Sequence, residues 1–101
     1  MDYVALLSFR DSVSAADRDA ALMRRAGWQY PEGTKPIAEY WPLGSDVQVV
    51  TIFSTDSTAA LFELELEWGD VFDMKIHPAV SADEGLKIGP EVVGNLMRLK
   101  Q

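Results

Sequence analysis

Strand-forming and helix-forming stretches alternate along this chain in the order β-α-β-β-α-β, followed by a helical tail, and that order predicts an α+β domain. Two further observations agree. The chain has 101 residues, enough for one compact domain with a modest core and too few for two. Its composition, 48% hydrophobic and 25% charged, is that of a folded chain, since a disordered one has too few apolar residues to bury.

The first strand is Tyr3 to Phe9, an apolar run rich in strand formers and ended by Arg10-Asp11. Neither of its alternating sets is polar, so it is expected to be covered on both faces or central in its sheet. Ser14-Ala15-Ala16-Asp17 then has the spacing of a capping box with Asp in place of Glu, which predicts a helix to about Ala26. Ala16, Ala20, Met23 and Gly27 share one stripe of it. After a loop from Trp28 to Pro36, the runs Ile37 to Trp41 and Val47 to Phe53 read as strands. Pro42-Leu43-Gly44-Ser45-Asp46 between them has turn chemistry, which makes the pair a hairpin.

The segment Leu61 to Trp68 alternates acids and apolar residues with period two, the pattern of a half-exposed strand. Its residue types say otherwise. Leu and Glu are strong helix formers, Glu is depleted in strands, Thr55-Asp56-Ser57 supplies a helix start and Gly69 a stop, so a helix is expected. Phe72 to Val80 is the fourth strand, with Asp73, Lys75 and His77 on its polar side. Pro78 cannot donate a ladder hydrogen bond and points to an edge or a strand end. Ser81-Ala82-Asp83-Glu84 is a second capping box. Gly89-Pro90 should break what it starts, with Pro90 opening a last helix to about Leu99.

This order matches the split β-α-β arrangement of ferredoxin-like domains: a four-stranded antiparallel sheet with two helices on one face. The other face, with Leu side chains and large aromatics, is too apolar to leave wet, so a homodimer through the open sheet face is expected. The domain is placed at residues 1–82, and residues 83–101 form a C-terminal helical extension packed on the same domain or on the partner subunit.

Charge and composition narrow the function classes. Nine basic against sixteen acidic residues give a net charge of −7. Six acids lie from Asp56 to Asp73 with no Lys or Arg among them, which argues against nucleic acid and reads as a solvated helix face. No apolar run approaches the ~20 residues of a membrane span, and no leader of signal-peptide type is recognisable, so a cytoplasmic location is the expectation. With no Cys and one His, thiol chemistry and the usual metal ligand sets are not expected, nor is any cofactor.

His77 is the one histidine, the residue type expected to exchange protons near neutrality, which makes it the candidate general base, the competing reading being a surface His on an edge strand. Tyr40 and Trp41 alternate faces, so one of them points to the open face, where it either stacks on a flat ligand or fills a dimer interface. Trp28 and Tyr30 either rim a pocket mouth or fasten their loop to the domain, and Trp68 belongs to the core. The ligand-binding candidates are therefore Tyr40, Trp41, His77 and Trp28, with no metal site: Glu67, Asp70 and Asp73 recur every three residues without the ligand-rich loop a Ca²⁺ site needs. Acids at a helix C-terminus oppose its dipole, so Arg24 or Arg25 is expected beside them.

Several strings resemble an uncharacterised family of small bacterial and archaeal domains of ferredoxin-like fold. They are Phe9-Arg10, the loop Pro31-Glu32-Gly33-Thr34-Lys35, Trp41, and Glu67-Trp68-Gly69-Asp70 leading through Phe72-Asp73 to Pro78. Together they span most of residues 3–82, and the tail after Ser81 is less typical. Many members carry a His after the strand-two Trp where this chain has Pro42, so a role of that His does not transfer. More distantly, the layout is similar to dimeric α+β barrel proteins, which include cofactor-free monooxygenases, isomerases, haem degraders and ligand-binding regulatory domains. The resemblance implies an architecture and no particular reaction. The first reading is a small homodimeric domain that binds a partly apolar molecule or serves assembly. The alternative is a cofactor-independent barrel-type enzyme, a monooxygenase or isomerase, with His77 as general base; the balance leans against catalysis.

Overall fold

A computed structural model describes residues 1–100. The elements are β1 (Asp2–Phe9), α1 (Ala15–Gly27), β2 (Thr34–Tyr40), β3 (Val49–Thr55), α2 (Thr58–Trp68), β4 (Phe72–Ala79) and α3 (Ala82–Leu99). The strands form one antiparallel sheet in the order β2-β3-β1-β4, the ferredoxin-like arrangement. β1 is central, as its two apolar sides predict, and β4 with Pro78 is an edge.

The register assigns each side chain to a face. Leu7 stands opposite Val49 on one side and Met74 on the other, and Ala5 stands between Thr51 and Ile76. This face receives the helices. Its core is Ala5, Leu7, Phe53, Leu64, Trp68 and Phe72 with Ala21 of α1, and Phe53 is 1% exposed. On the opposite face His77, Val4, Ile52 and Ala38 form one row and Lys75, Leu6, Val50 and Tyr40 the next. No helix of the described residues covers that side closely enough to bury Val4, Leu6, Val50 or Ile52, which stay partly exposed.

α2 is helical despite its period-two pattern because Ala60, Leu64 and Trp68 recur every four residues and are all buried. Ser57 Oγ accepts from the N–H of Ala60, and Gly69 closes the helix. Phe62 and Leu66, the other members of the wide stripe, are 64% and 68% exposed.

Three expectations need correction. β2 begins at Thr34, ahead of Ile37, because an edge strand tolerates Pro36, and the register shifts between Pro36 and Ala38 with Ile37 bulged out. The capping box of Ser14 and Asp17 is present in both directions, yet the inward stripe of α1 is a different one: Met23 is 74% exposed and Ala21 is the buried residue. Arg25 occupies the inward position because its charge is matched by Glu39 below it. Finally, α3 runs unbroken through Pro90. The residue before a proline is kept from helical geometry by clashes of the proline ring with its N–H and its Cβ, and here that residue is Gly89, which lacks the Cβ and so escapes one of the two.

Candidate functional site

α1 brings only the methyl group of Ala21 fully into the interior, so the helix stands above the sheet with space beneath it. That space is a cavity of about 290 Å³. Its walls are Phe9, Trp28, Trp41, Trp68, Phe72 and the aliphatic face of Leu7, Val49, Leu64 and Met74. The aromatic wall is continuous. Trp28 packs on Tyr30 with ring centres 4.7 Å apart and meets Trp68 edge-on at 5.6 Å; Trp68 lies 5.9 Å from Phe72, which stacks on Phe9 at 4.8 Å. Arg24 covers the outer side of Trp68, 4.2 Å from the ring centre, while holding Asp70 through two hydrogen bonds of 3.1 Å.

The polar residues of the lining are Arg18, Asp19 and Gln48 and a hydrogen-bonded cluster around Glu39. The Glu39 carboxylate, pointing inward from β2, receives Arg25 Nε at 3.1 Å and Nη2 at 3.0 Å, the Tyr30 hydroxyl at 2.6 Å and Trp41 Nε1 at 2.9 Å. Each oxygen thus accepts two hydrogen bonds, and a carboxylate has about four acceptor sites in all. Thr51, 4% exposed, lies 2.6 Å from the Tyr30 oxygen; that hydroxyl's proton goes to Glu39, so Thr51 donates to it. Burial pushes the Glu39 carboxyl up, but the bonds from Arg25, Tyr30 and Trp41 outweigh it and hold the carboxyl below its ordinary range. Burial first, and the bond to Glu39 second, push the Tyr30 hydroxyl up to about 12. The bond to Glu39 likewise raises Arg25. At neutral pH the cluster is therefore an ionised carboxylate, a neutral phenol and a guanidinium, closed on one another.

Trp28 and Trp41 line the cavity. Tyr40 and His77 lie in the two rows of the opposite sheet face, so the four ligand-binding candidates divide between the two sides of the sheet. Trp41 is drawn to the helix side by its bond to Glu39, and Tyr40, 72% exposed, is the aromatic that faces away. His77 is exposed and stands next to Val4. The three spaced acids have separate partners: Glu67 accepts from Trp28 Nε1, Asp70 pairs with Arg24, and Asp73 lies 3.1 Å from Arg10. Arg24 thus supplies the cation expected at the end of α2. Arg25, its neighbour, belongs to the cavity instead.

Sequence reasoning did not single out Glu39, although one signal was available. An acid within a strand, between Ala38 and Tyr40, is unusual enough to imply a buried partner. Tyr30 and Arg25 cannot be assigned to it from sequence, because they come from the loop and from α1.

No curated protein and no solved structure matches the chain. The family model described as "Domain of unknown function (DUF3303)" matches residues 1–93, the whole sheet, α1, α2 and much of α3. The chain is a member of the DUF3303 family, whose function is unknown.

Proposed function

We propose that the protein is a homodimeric binding module that takes a small, flat and largely apolar molecule into the cavity under α1. The observation that carries this reading is an aromatic-walled space of about 290 Å³ in which the carboxylate of Glu39 already has four donors. That volume is at the small end of the ~300–1,000 Å³ usual for ligand pockets. A ligand there gains apolar contact and ring stacking and meets no unpartnered polar group on Glu39 or Tyr30. The net charge of −7 favours a neutral molecule over an anion. Binding is favoured over catalysis because an ionised Glu39 and a Tyr30 pushed up to about 12 are both poorly placed to exchange protons near pH 7.

Indole is a suitable probe. Titration should change the fluorescence of the wall tryptophans and raise the melting temperature. Ala21→Leu extends a side chain into the cavity and should weaken indole binding at least tenfold while the protein stays folded. Equal binding by wild type and Ala21→Leu overturns the assignment of the cavity.

The dimer is supported by the apolar centre of the open sheet face, Val4, Leu6, Val50 and Ile52, with Tyr40 beside it. Sedimentation equilibrium at micromolar concentration should give twice the monomer mass, and a monomer overturns this part of the reading.

A further inference from the structure

α3 is an amphipathic helix without a partner in its own domain. Leu86, Val92, Val93, Leu96, Met97 and Leu99 are each half or more exposed, and no α3 residue is buried. They gather on one side of the helix, with Glu84, Lys87, Glu91, Asn95 and Arg98 on the other. Proline at position 90 withholds one backbone hydrogen bond, so this helix depends on packing for its stability more than most.

The shape of the chain points the same way. Its radius of gyration is 17.1 Å, against about 13 Å for a compact domain of this length, and its longest dimension is 59 Å. The extended backbone of Ser81, φ −66° and ψ 156°, caps α3 just beyond the edge strand β4 and lets it run on as an arm.

The arm and the open sheet face are thus two uncovered apolar surfaces of one chain, besides the exposed Leu22 and Met23 of α1 and Phe62 and Leu66 of α2. An 18-residue helix is about 27 Å long. Four strands about 4.8 Å apart, with their side chains, are somewhat narrower, so a helix laid obliquely across them covers the face. At roughly 60–120 Å² of apolar surface per large aliphatic side chain, the six side chains of the arm offer about 360–720 Å² per subunit. With the sheet face added, the total approaches the ~800 Å² per partner of a standard stable interface, which neither surface reaches alone.

We propose that two copies exchange α3, each laying the apolar side of its arm across the open sheet face of the other about a two-fold axis. The exchange rests on the homodimer proposed above and specifies it. It covers both surfaces with a single kind of contact.

The absence of Cys makes the test direct, because every thiol is an introduced one. Ile52→Cys and Val93→Cys are made separately in the full chain, mixed, allowed to exchange subunits and oxidised or treated with a short bismaleimide. Leu6→Cys with Leu96→Cys is a second pair that guards against an error in register. The expected result is a covalent dimer containing one of each variant as the main product from the mixture, and at most a trace from either variant alone. A strong crosslink from Val93→Cys alone means that arm packs on arm, and one from Ile52→Cys alone means that sheet stacks on sheet. Either overturns the exchange and leaves the homodimer standing. An intramolecular link in the Ile52→Cys/Val93→Cys double variant overturns the exchange, and a mainly monomeric protein overturns both.

Discussion

Glu39→Ala removes the acceptor on which the polar cluster under α1 converges. Four hydrogen bonds disappear at once, two of them from Arg25 at 3.0 and 3.1 Å, and the guanidinium is left beneath the helix without its counter-charge. The side chains of this pair are only 18% and 32% exposed, so solvent replaces the lost partner incompletely. Breaking a fully buried pair costs ~3–5 kcal/mol and an exposed pair contributes ~0–1 kcal/mol, which places this intermediate case at about 2–3 kcal/mol. For a domain of this size that is a fall of roughly 10–20 °C in Tm. Urea denaturation with an unchanged slope measures it as a shift of midpoint. The decisive comparison is the Arg25→Met/Glu39→Ala double variant. If the loss comes from an orphaned charge, the double variant is destabilised by less than the two single changes together, with a coupling of at least about 1 kcal/mol. Strict additivity, or a loss under about 0.5 kcal/mol for Glu39→Ala, refutes the idea that this cluster holds α1 over the cavity.

The remaining predictions concern protonation, packing and the opposite face of the sheet. Because the folded Glu39 carboxyl lies below its ordinary range near 4.5, its stabilisation is complete above that pH and is lost as pH falls through the folded value. Wild-type protein should therefore lose more stability between about pH 5 and pH 3 than Glu39→Gln, measured by urea midpoints across the series. The Tyr30 hydroxyl, pushed up to about 12, favours the fold below pH 10 and ceases to do so as pH rises through 12. The phenolate absorbance missing in Tyr30→Phe should accordingly develop near pH 12, and development near pH 10 contradicts the buried bond to Glu39. Phe53→Ala, at 1% exposure in the centre of the core, should cost about 3–5 kcal/mol in the same denaturation assay. His77→Ala should leave indole binding unchanged, since His77 lies across the sheet from the cavity; a tenfold loss of affinity contradicts that separation.

Much of the backbone was determined by local sequence. The Ser14 and Asp17 box, the Ser57 cap and the Gly69 stop mark helix ends through contacts a few residues long, so they are legible without any tertiary structure. β1, apolar on both sides, announces its central place, and Trp68 its place in the core. Composition alone leaves one His and no thiol for chemistry near neutral pH. The continuity of α3 through Pro90 was not legible from the usual helix-breaking rule, one part of which, the clash with the preceding Cβ, Gly89 removes.

The site was determined otherwise. Glu39, Arg25, Tyr30 and Thr51 come from two strands, a helix and a loop, at separations of 9 to 21 residues between bonded partners. Each is an ordinary polar residue until the fold places it against the others. The cavity likewise has no sequence signature. It exists because a small residue, Ala21, and a charged one, Arg25, face large aromatics contributed by the sheet, α2 and the loops, and Arg25 is held to β2 through Glu39. The same bond to Glu39 decides that Trp41 belongs to the cavity and Tyr40 to the open face, a choice that strand alternation poses and only the tertiary hydrogen bond resolves.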